Sequence, residues 1–179
     1  MLFTAFKELL CEKGFEAISV QDIAERSTVN RATFYDHFTD KFSLLDAMIE
    51  EKFGAFLEAR MTGTDGSCQE GLRRIILAAC DFLGELASAP CQKQRKQFEP
   101  MAEAKVKTLV RTRLQQGLLN RGVPEDEASL RATVAAWAIG GAALEWSRTK
   151  TLPAEAFAGQ LLPLVKPALT PPGGCATGN

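Results

Sequence analysis

Across 179 residues the chain carries 46% hydrophobic and 24% charged side chains at a formal charge of −1, enough apolar material to bury one or two cores and no bulk charge that would draw it to a polyanion. No apolar run approaches the roughly 20 residues that a bilayer span needs, and no charged n-region precedes a signal-like segment, so the expectation is a cytoplasmic protein with no membrane partner. Five cysteines (Cys11, Cys68, Cys80, Cys91 and Cys175) form no CxxC pair and leave one thiol over, which disfavours a disulfide framework or a zinc finger and predicts reduced thiols, no metal and no cofactor.

Leu2, Phe3, Phe6, Leu9 and Leu10 make the apolar stripe of a first helix, which Gly14 is suited to stop just after Lys13. Ser19 can cap a second helix, with Asp22 three residues on to answer the orphan backbone donors, and Val20, Ile23 and Ala24 share its apolar face. Past the Thr28-Val29 corner, Asn30 is a good N-cap for a third helix whose Phe34 and Phe38, four apart, share the buried side. Arg31, Ala32, Thr33, Tyr35, Asp36 and His37 are left to face outward. Two short helices joined by a tight turn, the second opening on a basic and polar run, read as a helix-turn-helix, a motif whose second helix presents its first turns to DNA base edges.

Asp40 can cap a fourth helix in which Leu45, Met48, Ile49, Phe53, Phe56 and Leu57 follow the helical period to about Ala59. The run from Thr62 to Ser67 is a turn-rich break. Leu72, Ile75, Ile76, Ala79, Phe82, Leu83 and Leu86 mark the next helix, which ends near Ser88-Ala89-Pro90. Gln92 to Gln97 is ambiguous; Met101, Val106, Leu109, Val110 and Leu114 then mark a helix closed by Gly117 or Gly122. Pro124 followed by Glu125, Asp126 and Glu127 starts another, because proline fits the first turn and carboxylates complement its positive end. That helix is rich in Ala and Gly from Ala132 to Trp146, with Gly140-Gly141 at its middle, and Trp137 and Trp146, nine residues apart, fall on opposite sides, so it needs two things to pack against. A last helix from about Ala154 to Leu169 offers Phe157, Leu161, Leu164, Val165 and Ala168, with a kink at Pro163. The tail from Thr170 is too rich in Pro and Gly to pack and is expected to be disordered. Nothing alternates with period two, so the fold class is all-α.

Lys13-Gly14-Phe15, Asp22-Ile23-Ala24, Arg31-Ala32-Thr33-Phe34-Tyr35 and His37-Phe38-Thr39-Asp40-Lys41 followed by Leu44-Leu45 resemble, in order and spacing, the tetracycline-repressor (TetR) family of bacterial regulators over the first third of the chain. The resemblance implies a three-helix DNA-binding domain at residues 1–53, joined by the long fourth helix to a helical effector-binding and dimerisation domain at 54–169, with the tail at 170–179. It implies a ligand-responsive transcriptional regulator, in the family's usual case a repressor, binding a palindromic double-stranded operator as a homodimer through its last two helices. A small-molecule effector would release it by moving the fourth helix and spreading the recognition helices. DNA contacts are expected from Gln21, Asn30, Arg31, Ala32, Thr33, Tyr35, His37 and Lys41, with Lys41 reaching a phosphate from the start of the fourth helix. The implied pocket among the middle helices would be lined by Cys80, Phe82, Phe98, Met101, Leu109 and Trp137. Two departures stand out: Met1 sits inside the first helix where the family usually has a basic arm, and Thr28 stands where the family often has Gly. A β-branched residue is poor at positive φ, so that turn is expected to use another backbone or to carry strain.

Residues 1–53 contain six basic and ten acidic residues, a balance of −4. Binding must then come from the placement of Arg26, Arg31, His37 and Lys41 near the motif and from two copies in a dimer. An enzyme is disfavoured: His37 is the only histidine and belongs to the DNA motif, leaving no Ser-His or Cys-His pair, no metal-ligand cluster and no phosphate-cradling Gly-rich loop. The alternative is a redox-responsive regulator, in which Cys91, ahead of Lys93, Arg95 and Lys96 whose charges favour a thiolate, is the input.

Overall fold

Capping chemistry delimits the first helices. The computed structural model describes residues 1–61, 68–88 and 92–170, with the side chains of 68, 92–95 and 98 outside that description. In it, α1 (Leu2–Glu12) buries Ala5, Phe6, Leu9 and Leu10 and ends where Gly14 adopts φ +79°, a conformation that glycine reaches without Cβ strain. For α2 (Val20–Ser27) a complete capping box forms: the Ser19 hydroxyl accepts from the Asp22 amide at 3.2 Å while the Asp22 carboxylate accepts from the Ser19 amide at 2.8 Å. Asn30 caps α3 (Arg31–His37) by accepting from the Ala32 amide at 3.0 Å.

The turn between α2 and α3 carries strain. Thr28 sits at φ 56°, ψ 32°, its N–H donating to the Glu25 carbonyl at 3.2 Å and that of Val29 to Ala24 at 3.0 Å. This bond pair is a Schellman motif, which places its C′ residue in the left-handed region where a β-branched side chain is disfavoured. The same bonds close a later helix at Gly122, from Gly122 to Leu119 at 2.9 Å and from Val123 to Leu118 at 3.2 Å.

The remaining elements are α4 (Lys41–Met61), α5 (Cys68–Ser88), α6 (Gln92–Leu119), α7 (Glu125–Thr149), α8 (Ala154–Val165) and a 3₁₀ turn (Lys166–Leu169), with no strand among the described residues. The fold is all-α. The ambiguous Gln92–Gln97 run belongs to α6, which accepts Pro100 internally at the loss of one backbone bond. Gly122, not Gly117, closes it. The break at 62–67 and the tail from 171 lie outside the described residues.

Phe6, Phe15, Ile23, Phe34, Leu44 and Leu45 are almost fully buried and form the centre of the N-terminal half, with ring contacts of 6.3 Å for Phe6–Phe15 and 5.8 Å for Phe34–Phe38. In the C-terminal half α7 packs against both α5 and α6 through a buried alanine-rich face, among them Ala128, Ala132, Ala135, Ala136 and Ala143. Its two tryptophans do point opposite ways. Trp146 is half-buried, stacks on Phe157 at 5.7 Å and donates its indole N–H to the Leu152 carbonyl at 2.9 Å, whereas Trp137 is 64% exposed. Pro163 does not end the last helix: α8 continues to Val165 and then tightens into the 3₁₀ turn, where Arg131 donates to the carbonyls of Ala168 and Thr170 at 2.9 Å each.

Ion pairs tie α4 to its neighbours. Lys52 pairs with Glu85 of α5, Lys105 of α6 reaches Asp46 at 3.4 Å and Glu50 at 3.1 Å, and Arg60 grips both oxygens of Asp81 at 2.7 and 3.0 Å. The long helix is thereby coupled to both sides of the C-terminal half. No described helix is long and apolar enough to cross a membrane.

Candidate nucleic-acid interface

α3 is held by Phe34, which has no exposure, and by the half-buried Phe38. With that side fixed, helical geometry turns Arg31, Ala32, Thr33, Tyr35, Asp36 and His37 outward, and all six are exposed. The Arg31 guanidinium lies 5.9 Å from the Tyr35 ring centroid, so this cation rests partly on an aromatic face at the tip of the motif. Gln21, exposed at the start of α2, donates its amide to Glu25 at 2.5 Å. The Asn30 side-chain oxygen is engaged in the α3 cap.

Two of the four cations placed near the motif by sequence are engaged by the protein's own groups. Arg26 makes a fork to Glu12 of α1 at 2.8 and 2.7 Å and reaches Glu8 at 3.3 Å. The fork holds the Glu12 carboxyl below its ordinary range and raises the arginine's pKa further. Glu8 and Glu12 are one turn apart on α1, and that spacing was the sequence signal for a carboxylate clamp. The Lys41 ammonium donates to the carbonyls of Phe15, Glu16 and Ile18 at 2.9, 3.1 and 2.9 Å and lies 4.8 Å from the Phe15 ring centroid. It closes the α1–α2 connection, so a phosphate contact from this side chain requires those three bonds to be given up. Arg31 and His37 remain outward.

Asp22 also receives the Lys13 ammonium at 2.5 Å. That bond, then the Ser19 amide and hydroxyl, hold its carboxyl well below the usual carboxylate range, as donors to a charged form do. The capping box that orients the motif is thus tied to the end of α1.

The five pocket candidates whose side chains are described, Cys80, Phe82, Met101, Leu109 and Trp137, are not brought together around one cavity. A cavity of about 700 Å³ opens between α1, α4 and α5, with Ala102 of α6 also on its wall; of the five, Phe82 lines it. Cys80 is fully buried, and burial, followed by the neighbouring Asp81 charge, pushes its thiol up to about 12. Met101 and Leu109 are half-buried and Trp137 is on the outer face of α7, where the Lys107 ammonium lies 4.6 Å from its ring. The side chain of Phe98 lies outside the described residues. Sequence reasoning missed the α1 wall, made by Phe3, Thr4, Lys7, Leu10 and Cys11, because Phe3 and Leu10 had been assigned to the first helix's own apolar stripe.

The expectation of reduced thiols is corrected at Cys11, which is disulfide-bonded, while Cys80 is free. No group of three or more His, Cys, Asp or Glu able to hold a metal occurs among the described residues.

These features define an all-α helix-turn-helix protein in which a long helix carries the motif into a second helical unit. Residues 2–48 match the model described as bacterial regulatory proteins, tetR family. It is 31% identical over 87 residues to the uncharacterized HTH-type transcriptional regulator YxbF of Bacillus subtilis strain 168, covering 48% of this chain and 23% of that protein. It is 30% identical over 81 residues to DhaS of Lactococcus lactis subsp. lactis strain IL1403, named as the dhaKLM operon transcriptional activator, covering 45% of this chain and 40% of the relative. The matches thus span less than half the length of these curated relatives. Among solved structures, TetR-Q116A from Acinetobacter baumannii AYE in complex with minocycline shares the fold, at a TM-score of 0.55 and 17% identity over 94% of this chain and 92% of that one.

Proposed function

We propose that the chain is a ligand-responsive transcriptional regulator that binds a palindromic operator as a homodimer and, in its usual mode, represses until a small-molecule effector releases it. It acts in the cytoplasm and performs no catalysis. The observation that carries this reading is the outward set on α3, Arg31, Thr33, Tyr35 and His37, held rigidly over the buried Phe34. Arg31 and Thr33 address bases or phosphates, and Ala32 packs against base methyl groups. Tyr35 and His37 address phosphates, with Gln21 and the Asn30 amide flanking them; Lys41, held by the Phe15, Glu16 and Ile18 carbonyls, marks the start of α4, whose first-turn amides favour an anion. Residues 1–53 are the DNA-binding unit and 54–169 the effector-binding and dimerisation unit. The polarity of control follows from where the operator lies relative to a promoter, and the relative DhaS is itself named an activator.

Dimerisation is supported by an apolar face that the protomer leaves uncovered. Leu130, Val134 and Trp137 on α7 are 67%, 52% and 64% exposed and Leu164 on α8 is 76% exposed; the first three recur at helical spacing, forming one stripe. Large exposed apolar stripes on consecutive helices mark an interface rather than a solvated surface. A two-fold mate covering them gives two recognition helices, the copy number that a domain of net charge −4 needs. Effector binding draws on the solved relative that holds minocycline, and Phe82 is the sequence candidate that lines a cavity.

The redox reading keeps one supporting observation, the disulfide at Cys11; Cys91 lies outside the described residues. Comparing operator affinity of wild type with Cys11→Ser and Cys91→Ser across a peroxide titration separates a thiol input, where a serine variant loses the response, from a ligand input, where all three behave alike. The main proposal is tested by selecting bound fragments from bacterial genomic DNA with the full chain and by light scattering at micromolar concentration. A two-fold consensus bound by a dimer is expected; no enriched sequence, or a monomer, overturns it.

A further inference from the structure

The cavity of about 700 Å³ has a position that the family resemblance did not imply. One wall comes from α1 and α4, all of it but Ala55 within residues 1–53, the opposite wall from Phe82, Glu85, Leu86 and Ser88 of α5. It is therefore a crevice between the DNA-binding half and the helices that regulate it. Its size falls within the roughly 300–1,000 Å³ of small-molecule sites, and its interior is apolar, with Leu10, Met48, Ile49, Phe82 and Leu86 among the lining residues.

The charged groups at the crevice are few. Lys52 and Glu85 neutralise each other across α4 and α5. Lys7 of α1 is exposed and makes no ion pair among the described residues. Thr4 lies three residues before it, on the same face of α1, so an ammonium and a hydroxyl donor stand side by side at one edge of an apolar cleft. On the α4 wall the uncompensated group is the single carboxylate Glu51.

We infer that this inter-domain crevice binds a small amphipathic carboxylate, its hydrocarbon body between α1, α4 and α5 and its head at Lys7 and Thr4. The inference deepens the regulator reading, and rests on it for the consequence that follows. Because the two walls belong to different halves, a bound molecule favours the one arrangement of those halves that fits it. It acts on DNA binding by exactly its difference in affinity for the DNA-competent and DNA-incompetent arrangements.

The test uses the full chain without reductant, since Cys11 in the wall is disulfide-bonded, and titrates it calorimetrically with sodium decanoate, octanoate, decan-1-ol and decylammonium. Decanoate is expected to bind once per protomer, octanoate about 15-fold more weakly because each methylene contributes about fourfold, and decylammonium at least tenfold more weakly. Lys7→Gln should weaken decanoate about 5- to 10-fold and leave decan-1-ol unchanged. Ala55→Trp, which fills the α4 side of the crevice, should abolish binding of both while circular dichroism reports unchanged helicity; if that variant loses its helicity, Lys7→Gln decides. No decanoate binding up to its solubility, tighter decylammonium, or wild-type decanoate affinity in Lys7→Gln overturns the inference. Fluorescence anisotropy on selected DNA separates the two claims. A chain that binds its operator but ignores decanoate loses this site and keeps the regulator reading, whereas one that binds decanoate as described but selects no DNA keeps the site and loses that reading.

Discussion

The salt dependence of operator binding distinguishes the cations that the fold leaves available from those that sequence alone would count. Each phosphate neutralised contributes about −0.9 to the slope of log affinity against log salt on duplex DNA. If Arg26, Arg31, His37 and Lys41 all engaged, a dimer would bring eight groups and a slope of about −7, a loss of about 20,000-fold between 50 and 200 mM salt. Arg26 is instead held by Glu12 and Glu8, and Lys41 by three carbonyls. Two to four groups per dimer then remain, giving a slope of about −2 to −4 and a loss of about 10- to 150-fold over the same range. Fluorescence anisotropy of a labelled operator duplex at five or six salt concentrations measures the slope directly. Arg31→Ala should flatten it by about 2 and cost about 1–3 kcal/mol if the side chain reads a base, while Arg26→Gln leaves the slope within about 1 of wild type. A wild-type slope steeper than about −5, or an Arg26→Gln variant that flattens it as much as Arg31→Ala does, refutes the assignment of available cations.

The two Schellman turns provide a matched stability test. Thr28→Gly relieves a left-handed cost of about 1–2 kcal/mol but adds about 0.5–1 kcal/mol of unfolded-chain entropy, so denaturant unfolding should show a gain of about 0.5 kcal/mol; Gly122→Ala, whose added Cβ would meet nothing within 4 Å, should lose about 1 kcal/mol. The reverse signs would show that side-chain contacts at these turns outweigh the backbone. Trp137→Asp removes an apolar contact of about 3 kcal/mol per copy from the proposed two-fold interface and should yield monomers by light scattering at about 10 μM with unchanged helicity; a dimer of wild-type affinity would move the interface elsewhere. Asp22, its carboxyl depressed by Lys13 and Ser19, contributes stability that is present above its ordinary pKa of 3.8 and is lost as pH falls below it. The stability difference between wild type and Asp22→Asn should therefore narrow in acid, and a difference that stays constant from pH 7 to 2.5 removes Asp22 as the titrating group.

Where structure depends on neighbours within a few residues, the chain could be read directly. Ser19 with Asp22, Asn30 before α3, and Pro124 before three carboxylates announce helix starts because their partners lie within one turn. The outward face of α3 was legible for the same reason: once Phe34 and Phe38 are buried, helical periodicity leaves no other direction for Arg31, Thr33, Tyr35 and His37. Thr28 was correctly marked as an awkward turn residue, although its left-handed φ became definite only with the bond pattern around it. The opposed tryptophans followed from their nine-residue spacing, but which faced the core did not. Trp146 is inside because Phe157 and the Leu152 carbonyl, from beyond the end of α7, come to meet it.

Long-range electrostatics and the shape of the interior were decided by tertiary structure. Arg26 and Lys41 look like DNA-facing cations along the chain, yet their partners stand 14 to 26 residues away, and a charge's availability depends on what the fold sets against it. The crevice has the same origin, since Lys7 and Phe82 acquire a common cavity only when α1 docks beside α5. Sequence alone determined the helices, the motif and the face it presents, because those are local consequences of capping and periodicity. The fold decided which of those charges are available to a partner and where a ligand has room, because both depend on residues that only packing brings together.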